Sequence, residues 1–522
     1  MVSELEIILL PEQITDSHLI RIQAAKKLNI HLDRITDIQI LKRSIDARSR
    51  NIVYRLKVKV FVDEPVVHHI FNFEYPNIKN AEPVLIIGAG PAGLFAALKC
   101  IQLGLKPVIL ERGKDVKQRR RDLASINKLG IVNTESNYCY GEGGAGTYSD
   151  GKLYTRSNKR GDVNEVLRIL VAHGAADDIL IDARPHIGTN KLPQIITAIR
   201  DTILNAGGEV IFNCKIVDIL IQGSKVKGVK TADDETINGK AVILATGHSA
   251  RDIYSILKKH NIFLEAKPFA LGVRIEHPQE IIDQAQYHCA VRSPYLPPSY
   301  YSLVAQVEGR GVFSFCMCPG GIIAPCSTDS NEIVVNGWSP SKRNNPFANS
   351  GTVVQINLDD IAGSDDDPFK LLNFQAGVEY NAFLAGGNRS SEQAGLIAPA
   401  QRMVDFVEGK LSVDLPVNSY LPGTKSADMT DVLPALVYNR LKEALPAFGR
   451  KMKGYFTNEA ILVGVESRTS SPVRIPRDKE TLQHPQVGGL FPCGEGAGYA
   501  GGIVSAAIDG MNCAEAAFKS IR

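Results

Sequence analysis

The chain has 522 residues, a length that predicts about three or four domains and leaves room for a large buried ligand. Its 59 Lys and Arg residues against 56 Asp and Glu residues give a net charge of only +3, and 44% of the residues are hydrophobic. This balance gives no electrostatic reason to expect a nucleic-acid or membrane partner. The nine cysteines include no CxxC motif, which counts against a dithiol mechanism beside a flavin.

The first residues lack a basic segment followed by a long apolar run, so no secretory signal is expected. The longest Gly/Ala-rich apolar stretch, residues 83–98, carries a glycine motif instead of a membrane span. We therefore expect a cytoplasmic protein with no membrane span.

Residues 1–80 predict a small α+β module, for which a ferredoxin-like arrangement is one option. Its expected elements are a strand, a helix and two further strands near residues 6–10, 17–28, 35–41 and 52–62. Arg55, Lys57 and Lys59 alternate with apolar residues in the last strand. This pattern indicates a solvated sheet face rather than a binding patch.

A buried strand at 84–87 leads directly into a glycine motif and a helix, and a second buried strand at 107–110 ends at Glu111. This is one βαβ unit, and its periodicity continues to about residue 262. The segment 263–482 differs in character and predicts an inserted substrate or cap domain. Residues 483–522 return to the first pattern with a strand and a small-residue helix.

The glycine motif suits a dinucleotide pyrophosphate at a helix N-terminus, because its glycines allow a tight turn and a close backbone approach. Its residues are Gly88, Ala89, Gly90, Pro91, Ala92 and Gly93. Glu111 lies 23 residues after Gly88, where a carboxylate can accept both ribose hydroxyls. Its charge disfavours a 2′-phosphate, so the nucleotide is FAD or NAD rather than NADP.

Two later segments decide between these nucleotides. One is the strand-and-turn that ends in Ala245, Thr246 and Gly247, and the other is the C-terminal run with Gly494, Glu495, Gly501, Gly502 and Ile503. In flavoproteins the acidic residue of the second segment meets the ribityl chain, and the following helix N-terminus faces the flavin pyrimidine. The three segments in this order predict non-covalently bound FAD.

These motifs resemble the glutathione-reductase-type FAD superfamily and, more narrowly, the bacterial family described as FAD-dependent dehydrogenases. The narrower resemblance covers roughly residues 81–522 and rests on the segments 141–152, 245–252, 315–321 and 496–502. It implies that the 141–152 loop wraps the flavin, with Lys152 near the pyrophosphate or the isoalloxazine. The further residues expected to contact FAD are Arg112, Arg120, Gly143, Gly144, Ala145 and Ile216.

Three residues are candidates for catalysis. His248 follows the flavin turn and suits proton donation, unless it only caps the loop. Lys152 suits a role beside the flavin, unless it is a solvated loop lysine. Arg468 lies in a segment of arginines and hydroxyls that suits a substrate carboxylate or phosphate, or else a solvated loop.

Two further groups have a functional and a structural interpretation. Cys316 and Cys318 would share one face of a regular strand, as redox thiols or soft metal ligands, but buried structural thiols are favoured and no metal site is expected. The basic run 114–121 predicts an exposed helix face, from which Arg120 or Arg121 could reach the cofactor.

The expected fold is therefore α/β, with a discontinuous Rossmann-type FAD-binding domain, an inserted α+β substrate domain and a small N-terminal α+β module. The expected activity is hydride transfer between a small-molecule substrate and flavin N5. No dedicated NAD(P)H domain is visible in the sequence, so either NAD(P)H docks transiently as the electron donor or the substrate itself gives the hydride. An FAD-dependent RNA-modifying enzyme and a non-catalytic flavin sensor remain alternatives, and the oligomeric state is open.

Overall fold

The computed structural model describes residues 1–49, 51–65, 71–155, 161–388 and 395–522. The sequence forms a small N-terminal module, a parallel-sheet unit and a large unit inserted within the latter. None of the helices in these ranges combines the length and apolar character needed to cross a bilayer.

The N-terminal module is an antiparallel sheet covered by one helix. Its elements are β1 (Val2–Leu9), α1 (Ser17–Leu28), β2 (Ile35–Asp46) and β3 (Val53–Val62). The strand order is β1-β3-β2, and apolar side chains of β1 and β3 pack against α1. On the other face Lys57 pairs with Glu4 at 2.6 Å and Arg55 pairs with Glu6 at 2.6 Å. The basic residues of β3 therefore belong to an ion-paired sheet face.

The central unit contains a five-stranded parallel sheet with helices on its face. Its first elements are β4 (Pro83–Ile87), α2 (Pro91–Gln102), β5 (Lys106–Leu110), α3 (Val116–Leu129), α4 (Val163–Ala172), α5 (Asp178–Ile181), α6 (Leu192–Asn205) and β6 (Glu209–Ile211). There follow β7 (Ile216–Gln222), β8 (Lys225–Thr231), β9 (Thr236–Asn238), β10 (Val242–Leu244) and α7 (Arg251–Lys259). Strands β7, β8 and β9 form a separate antiparallel sheet on the opposite face.

The inserted unit is built on a seven-stranded mixed sheet. Its elements are β11 (Glu265–Ala266), β12 (Phe269–Pro278), α8 (Gln279–Tyr287), β13 (Val304–Val307), β14 (Arg310–Cys318), β15 (Ile322–Pro325), β16 (Val335–Trp338), β17 (Phe347–Ile356), α9 (Lys370–Ala385), β18 (Ala398–Arg402), α10 (Met403–Glu408), β19 (Thr424–Ser426), α11 (Ala435–Lys451), β20 (Ile461–Glu466) and β21 (Val473–Arg474). The strand order is β13-β14-β17-β12-β20-β18-β19, and β15 pairs with β16. We refer to residues 263–482 as the cap.

The chain returns to the parallel sheet through β22 (Leu490–Pro492) and ends in α12 (Ile503–Ile521). The sheet order is β22-β10-β4-β5-β6, with every pair parallel. Alternate residues of β4 enter two different cores, because Val84 and Ile86 face the helical layer whereas Leu85 and Ile87 face the β7-β8-β9 side. The predicted Rossmann-type α/β fold is confirmed.

Two contacts tie the units together. The two segments that connect the cap to the parallel-sheet unit pair with each other, because β11 and β21 form an antiparallel ribbon with Glu265 opposite Arg474. The N-terminal module lies against both other units: Arg43 Nε donates to Asp182 Oδ1 at 2.7 Å, and the Tyr54 hydroxyl donates to the Tyr295 carbonyl at 2.8 Å.

Candidate functional site

Three loops that follow neighbouring parallel strands meet at one edge of the sheet. They follow β4, β10 and β22, and they begin at Gly88, Ala245 and Cys493. Ligands of open α/β sheets bind outside the carboxyl ends of the strands. A cavity of about 340 Å³ opens there, between the parallel sheet and the cap.

The turn after β4 requires glycine at two positions. Gly88 has φ +102°, and a Cβ atom there would lie 2.5 Å from the Ala245 carbonyl oxygen. A Cβ atom on Gly93 would lie 1.9 Å from the Gly88 carbonyl oxygen, so only glycine lets α2 pack this closely on the turn. Helix α2 begins at Pro91, and its first two residues, Pro91 and Ala92, line the cavity, so the N-terminal end of the helix is available to an anion.

Glu111 holds the loops around this turn together. Its Oε2 accepts the Ala89 N–H at 2.8 Å, and its Oε1 accepts the N–H groups of Gly113 and Gly141 at 2.9 Å each. A carboxylate has about four lone-pair positions, so three are used and one remains toward the cavity. Glu111 was expected to accept both ribose hydroxyls, and the geometry gives it a second task as the anchor of the glycine turn.

Arg119 corrects the expectation that the basic run 114–121 is an exposed helix face. Arg120 and Arg121 are exposed on α3, but Arg119 is fully buried. Its guanidinium donates to three backbone carbonyls at 2.8–2.9 Å, those of Asn137, Tyr138 and Glu142. These carbonyls belong to the loop that leads to Gly143 and Gly144, so α3 fixes this loop from beneath. The charge pattern of the sequence could not reveal that Arg119 is buried, because its burial depends on how the loop that leads to Gly143 folds over the helix.

Arg112 and Ile216 lie at the end of the cavity next to Glu111. The Arg112 guanidinium stacks on the Tyr140 ring at 4.2 Å and pairs with Glu135 at 2.6 Å and with Asp252 at 3.1 Å. A flat, ion-paired guanidinium beside an aliphatic side chain provides surfaces on which a planar base can stack.

The loop after β22 is held by two buried residues that the sequence analysis missed. Asp509 of α12 accepts the Gly494 N–H at 2.8 Å and pairs with Arg477 at 2.6 Å. Arg477 also donates to the Pro492 carbonyl at 2.8 Å. The pair therefore fixes the turn that presents Glu495. An acidic residue inside an otherwise small, apolar helix was the signal that could have indicated it.

Asp509 also lies within ligand distance of Cys493 and Cys513, the one grouping of potential metal ligands among the described residues. Its carboxylate is already neutralised by the Arg477 guanidinium, and Cys513 Sγ lies 3.4 Å from the same guanidinium. A metal ion at this position would have to displace a buried cation, so we assign the group a structural role.

His248 joins the second and third loops. Its Nδ1 lies 3.2 Å from Glu495 Oε2, which leaves Nε2 as the other ring nitrogen for a ligand. A Cβ atom on Gly496 would lie 2.5 Å from the Gly247 carbonyl oxygen, so these two loops are in direct backbone contact.

On the cap side the cavity meets Lys152, Cys316 and Asn336. Lys152 Nζ lies 3.7 Å from Asp150 Oδ2 and 3.4 Å from Cys318 Sγ. Burial opposes the charge of Lys152, but the pKa of Lys152 is nevertheless raised, and the attraction of the Asp150 carboxylate is the main cause. The lysine is therefore charged at neutral pH.

The two cysteines do not share an environment, as a regular strand would require. The pairing of β14 with β17 shifts between Phe315 and Cys318, and Cys316 has φ +45°. This bulge exposes the Cys316 thiol to the cavity and buries Cys318 beside Arg274. The protein around the cavity shields the Cys316 thiol from bulk water. This desolvation raises the pKa of Cys316 to about 11, so the group is a neutral thiol rather than a thiolate at neutral pH.

Arg468 lies in a buried ion-pair network. It donates to Glu332 at 2.6 Å, to Glu379 at 3.1 Å and to Thr328 at 2.8 Å, and Arg251 donates to Glu379 at 2.8 Å. Two carboxylates thus balance two guanidinium groups. Arg468 reaches the cavity wall, but its charge is already paired within the protein.

The cavity brings together most of the predicted site residues. They are Gly88, Gly90, Pro91, Ala92, Glu111, Arg112, Gly144, Ala145, Lys152, Ile216, Ala245, Thr246, Gly247, His248, Arg468, Gly494, Glu495, Gly501, Gly502 and Ile503. Ala89, Gly93, Gly143 and Arg120 lie outside this lining. The first three support the turn and the loop from behind, whereas Arg120 is exposed on α3.

The sequence is similar to two family models and to several individual proteins. Residues 268–469 match the model described as FAD-dependent protein, C-terminal domain-like, and residues 1–61 match a domain of unknown function. An "Uncharacterized protein" of Clostridium beijerinckii is 39% identical over 520 residues, which cover 96% of each chain. A thiamine thiazole synthase of Methanococcus maripaludis is 24% identical over 188 residues, covering 34% of this chain and 60% of the synthase.

Two solved structures match the chain with low similarity. A geranylgeranyl bacteriochlorophyll reductase-like protein of Thermoplasma acidophilum matches with 14% identity and a TM-score of 0.33, over 84% of this chain and 79% of that one. The FAD complex of CtdE matches with 11% identity and a TM-score of 0.32, over 85% and 84%. The match over 96% of each chain shows that this chain belongs to the same family as the Clostridium beijerinckii protein, and residues 268–469 match an FAD-dependent protein C-terminal domain.

Proposed function

We propose that the protein is an oxidoreductase that binds FAD non-covalently in this cavity and passes a hydride between a small-molecule substrate and flavin N5. The observation that carries the proposal is the convergence of three glycine-containing loops, after β4, β10 and β22, on one cavity at the carboxyl edge of the sheet. Bound FAD supplies two-electron chemistry, while the protein supplies binding, orientation and electrostatics.

Each loop has a distinct part in holding the cofactor. The turn at Gly88 and the start of α2 face the pyrophosphate, and Glu111 with Arg112 faces the adenosine. Glu495 meets the ribityl chain, and the start of α12 faces the flavin pyrimidine. Gly88 and Gly90 place backbone instead of side chains on this part of the cavity wall, which fits such a ligand.

The substrate lies on the cap side of the cavity. His248 and Lys152 are the residues that we propose for proton donation and for charge stabilisation there, respectively. Arg468 acts as a positioning residue, because its hydrogen bonds hold Glu332 and Glu379 beside the loop of β20. In this scheme residues 81–262 and 483–522 form the FAD-binding domain, residues 263–482 form the substrate domain, and residues 1–80 are an accessory module.

The RNA-modifying alternative needs a basic stripe on the N-terminal module. Arg55 and Lys57 are paired with Glu6 and Glu4, so the geometry does not favour it. The sensor alternative differs from the enzyme by its response to electron donors.

The absorbance spectrum of the purified protein, followed by anaerobic titration with NADH and NADPH, tests the proposal. We expect flavin absorbance bands at about 370 and 450 nm that are bleached by an electron donor. Bleaching by a nicotinamide would identify the reductive partner, whereas resistance to both would favour a substrate-reduced enzyme or a sensor. Protein without flavin bands even after reconstitution with FAD would refute the proposed cofactor.

Gly93→Ala is expected to abolish FAD binding. The new Cβ atom would lie 1.9 Å from the Gly88 carbonyl oxygen, so α2 must move away from the turn that faces the pyrophosphate. Such overpacking costs about 1–3 kcal/mol. The FAD-to-protein absorbance ratio measures the effect. Gly377→Ala is the matched control, because a Cβ atom there, within α9, meets no heavy atom within 4 Å. Equal flavin content in both variants would contradict the assignment.

A further inference from the structure

One end of the cavity carries a positive charge that the carboxylates of the described residues do not balance. We call it the cap-side end and define it by Lys152, Tyr154, Phe315, Cys316 and Asn336, all of which line the cavity. It lies where the 141–152 loop meets β14 and β16 of the cap.

Lys152 differs from the other cationic residues of the cavity wall. Arg112, Lys215 and Arg468 each lie 2.6 Å from a carboxylate oxygen. Among the described residues, the carboxylate within 4 Å of Lys152 Nζ is that of Asp150, at 3.7 Å. That carboxylate already accepts a hydrogen bond from Arg343 at 2.8 Å. The other described contact of the ammonium is a weak acceptor, Cys318 Sγ, so strong donor capacity remains.

The residues behind Lys152 do not supply the missing negative charge. Arg274 is fully buried and pairs with Glu466 at 2.9 Å. Among the described residues, the carboxylates within ion-pair distance of Lys152, Arg343 and Arg274 are those of Asp150 and Glu466, which leaves one positive charge in excess. A partly enclosed, unbalanced cation is costly unless a ligand brings the opposite charge.

We propose that the cap-side end binds a carboxylate of the substrate, with Lys152 as its ionic partner. This inference rests on the proposed function, since it assigns the substrate class of the same cavity. A monoanionic group balances the excess of one charge, whereas a phosphate dianion would exceed it. Lys152 contacts Cys318 of the cap, whereas the pyrophosphate is assigned to the turn at Gly88.

Cys316 provides a reporter inside this end. The bulge in β14 turns its thiol toward the cavity, and Arg274 Nη2 holds the bulge by donating to the Cys316 carbonyl at 2.8 Å. Cys289 is a second partly accessible cysteine, packed at the edge of the N-terminal module and away from the cavity lining. It serves as the internal reference.

The test compares alkylation of the flavin-containing protein by iodoacetate and by iodoacetamide at pH 9, with each cysteine followed by peptide mass spectrometry. The two reagents differ by one carboxylate charge. We expect the iodoacetate-to-iodoacetamide rate ratio at Cys316 to exceed that at Cys289 by about tenfold, because a nearby ammonium attracts the anionic reagent. Lys152→Gln should remove this preference, and Lys240→Gln, which changes an exposed lysine, should keep it.

Protection by small ligands tests the substrate class itself. Propionate is expected to slow alkylation of Cys316 in the flavin-containing protein, whereas propionamide at the same concentration is not. Equal reagent ratios at both cysteines, or equal protection by acid and amide, would overturn the inference. So would a Lys152→Gln variant that loses FAD but retains the anionic preference, because Lys152 would then serve the cofactor.

The flavin absorbance of the same samples separates the two ways of failing. Missing flavin after reconstitution would overturn the proposed function and the inference with it. Bound flavin without an anionic preference would overturn the inference alone.

Discussion

Replacing Arg119 by methionine is expected to destabilise the protein by about 3–5 kcal/mol and to release FAD. Methionine fills a similar volume but donates no hydrogen bond, so the buried carbonyls of Asn137, Tyr138 and Glu142 lose their charged partner. The loop that they belong to carries Gly143 and Gly144 past the glycine turn, where Gly143 N donates to the Ala89 carbonyl at 2.8 Å. Loss of the arginine therefore loosens the cavity wall as well as the core.

Urea unfolding followed by circular dichroism measures the first effect, and flavin fluorescence released at equilibrium measures the second. Arg121→Met is the matched control, because Arg121 lies on the same helix and is exposed. It should change stability by less than about 0.5 kcal/mol. If the two variants unfold at the same denaturant concentration, Arg119 does not hold the loop.

Glu379→Gln is expected to cost a similar amount, about 3–5 kcal/mol, by leaving the buried Arg468 and the partly buried Arg251 short of a charge. Glu379 accepts from Arg251 at 2.8 Å, from Arg468 at 3.1 Å and from the Ser467 hydroxyl at 2.6 Å, and it is fully buried. The network joins α9 of the cap to the start of α7, directly after the flavin turn. The variant should therefore also weaken substrate-dependent turnover more than FAD affinity. Glu443→Gln, on the exposed side of α11, is the control.

The pH dependence gives an independent check on Glu379. Burial alone would raise its pKa, but Arg468 and Arg251 outweigh burial and lower the pKa to about 2, from an ordinary value of 4.5. The carboxylate thus contributes stability that is present above about pH 4.5 and is lost as the pH falls through about 2. We expect the stability difference between the native protein and Glu379→Gln to shrink over that interval. A difference that is independent of pH would show that the carboxylate charge is not what stabilises the network.

The sequence predicted the loops in which the backbone conformation requires glycine. Gly88, Gly93 and Gly247 lie where a positive φ or a close backbone contact excludes a side chain. A regular β-strand precedes each of these loops, and this order of strand and glycine turn predicted the fold. The helix at 17–28 and the hairpin that turns at Gly223 also follow from local patterns.

Features that depend on distant contacts could not be predicted. Strand β20 is buried along its whole length at the centre of the cap sheet, so its sequence lacks the alternation that marks a strand with one solvent face. The burial of Arg119, the Arg477–Asp509 pair and the bulge at Cys316 likewise arise from residues far apart in the chain. Each is a polar group placed inside by tertiary structure, against its usual preference for the surface.

The β11–β21 ribbon has a consequence for how such a chain can diversify. The first and last strands of the cap are hydrogen-bonded neighbours, so the two connections between the cap and the parallel-sheet unit lie side by side. Residues 268–469, the stretch that matches the C-terminal family model, lie between the two strands of this ribbon. A different cap grafted at the same two strands would leave the order of the parallel sheet unchanged. Evolution could thus change the side chains that line the cap side of the cavity by exchanging the cap, without changing the parallel-sheet unit.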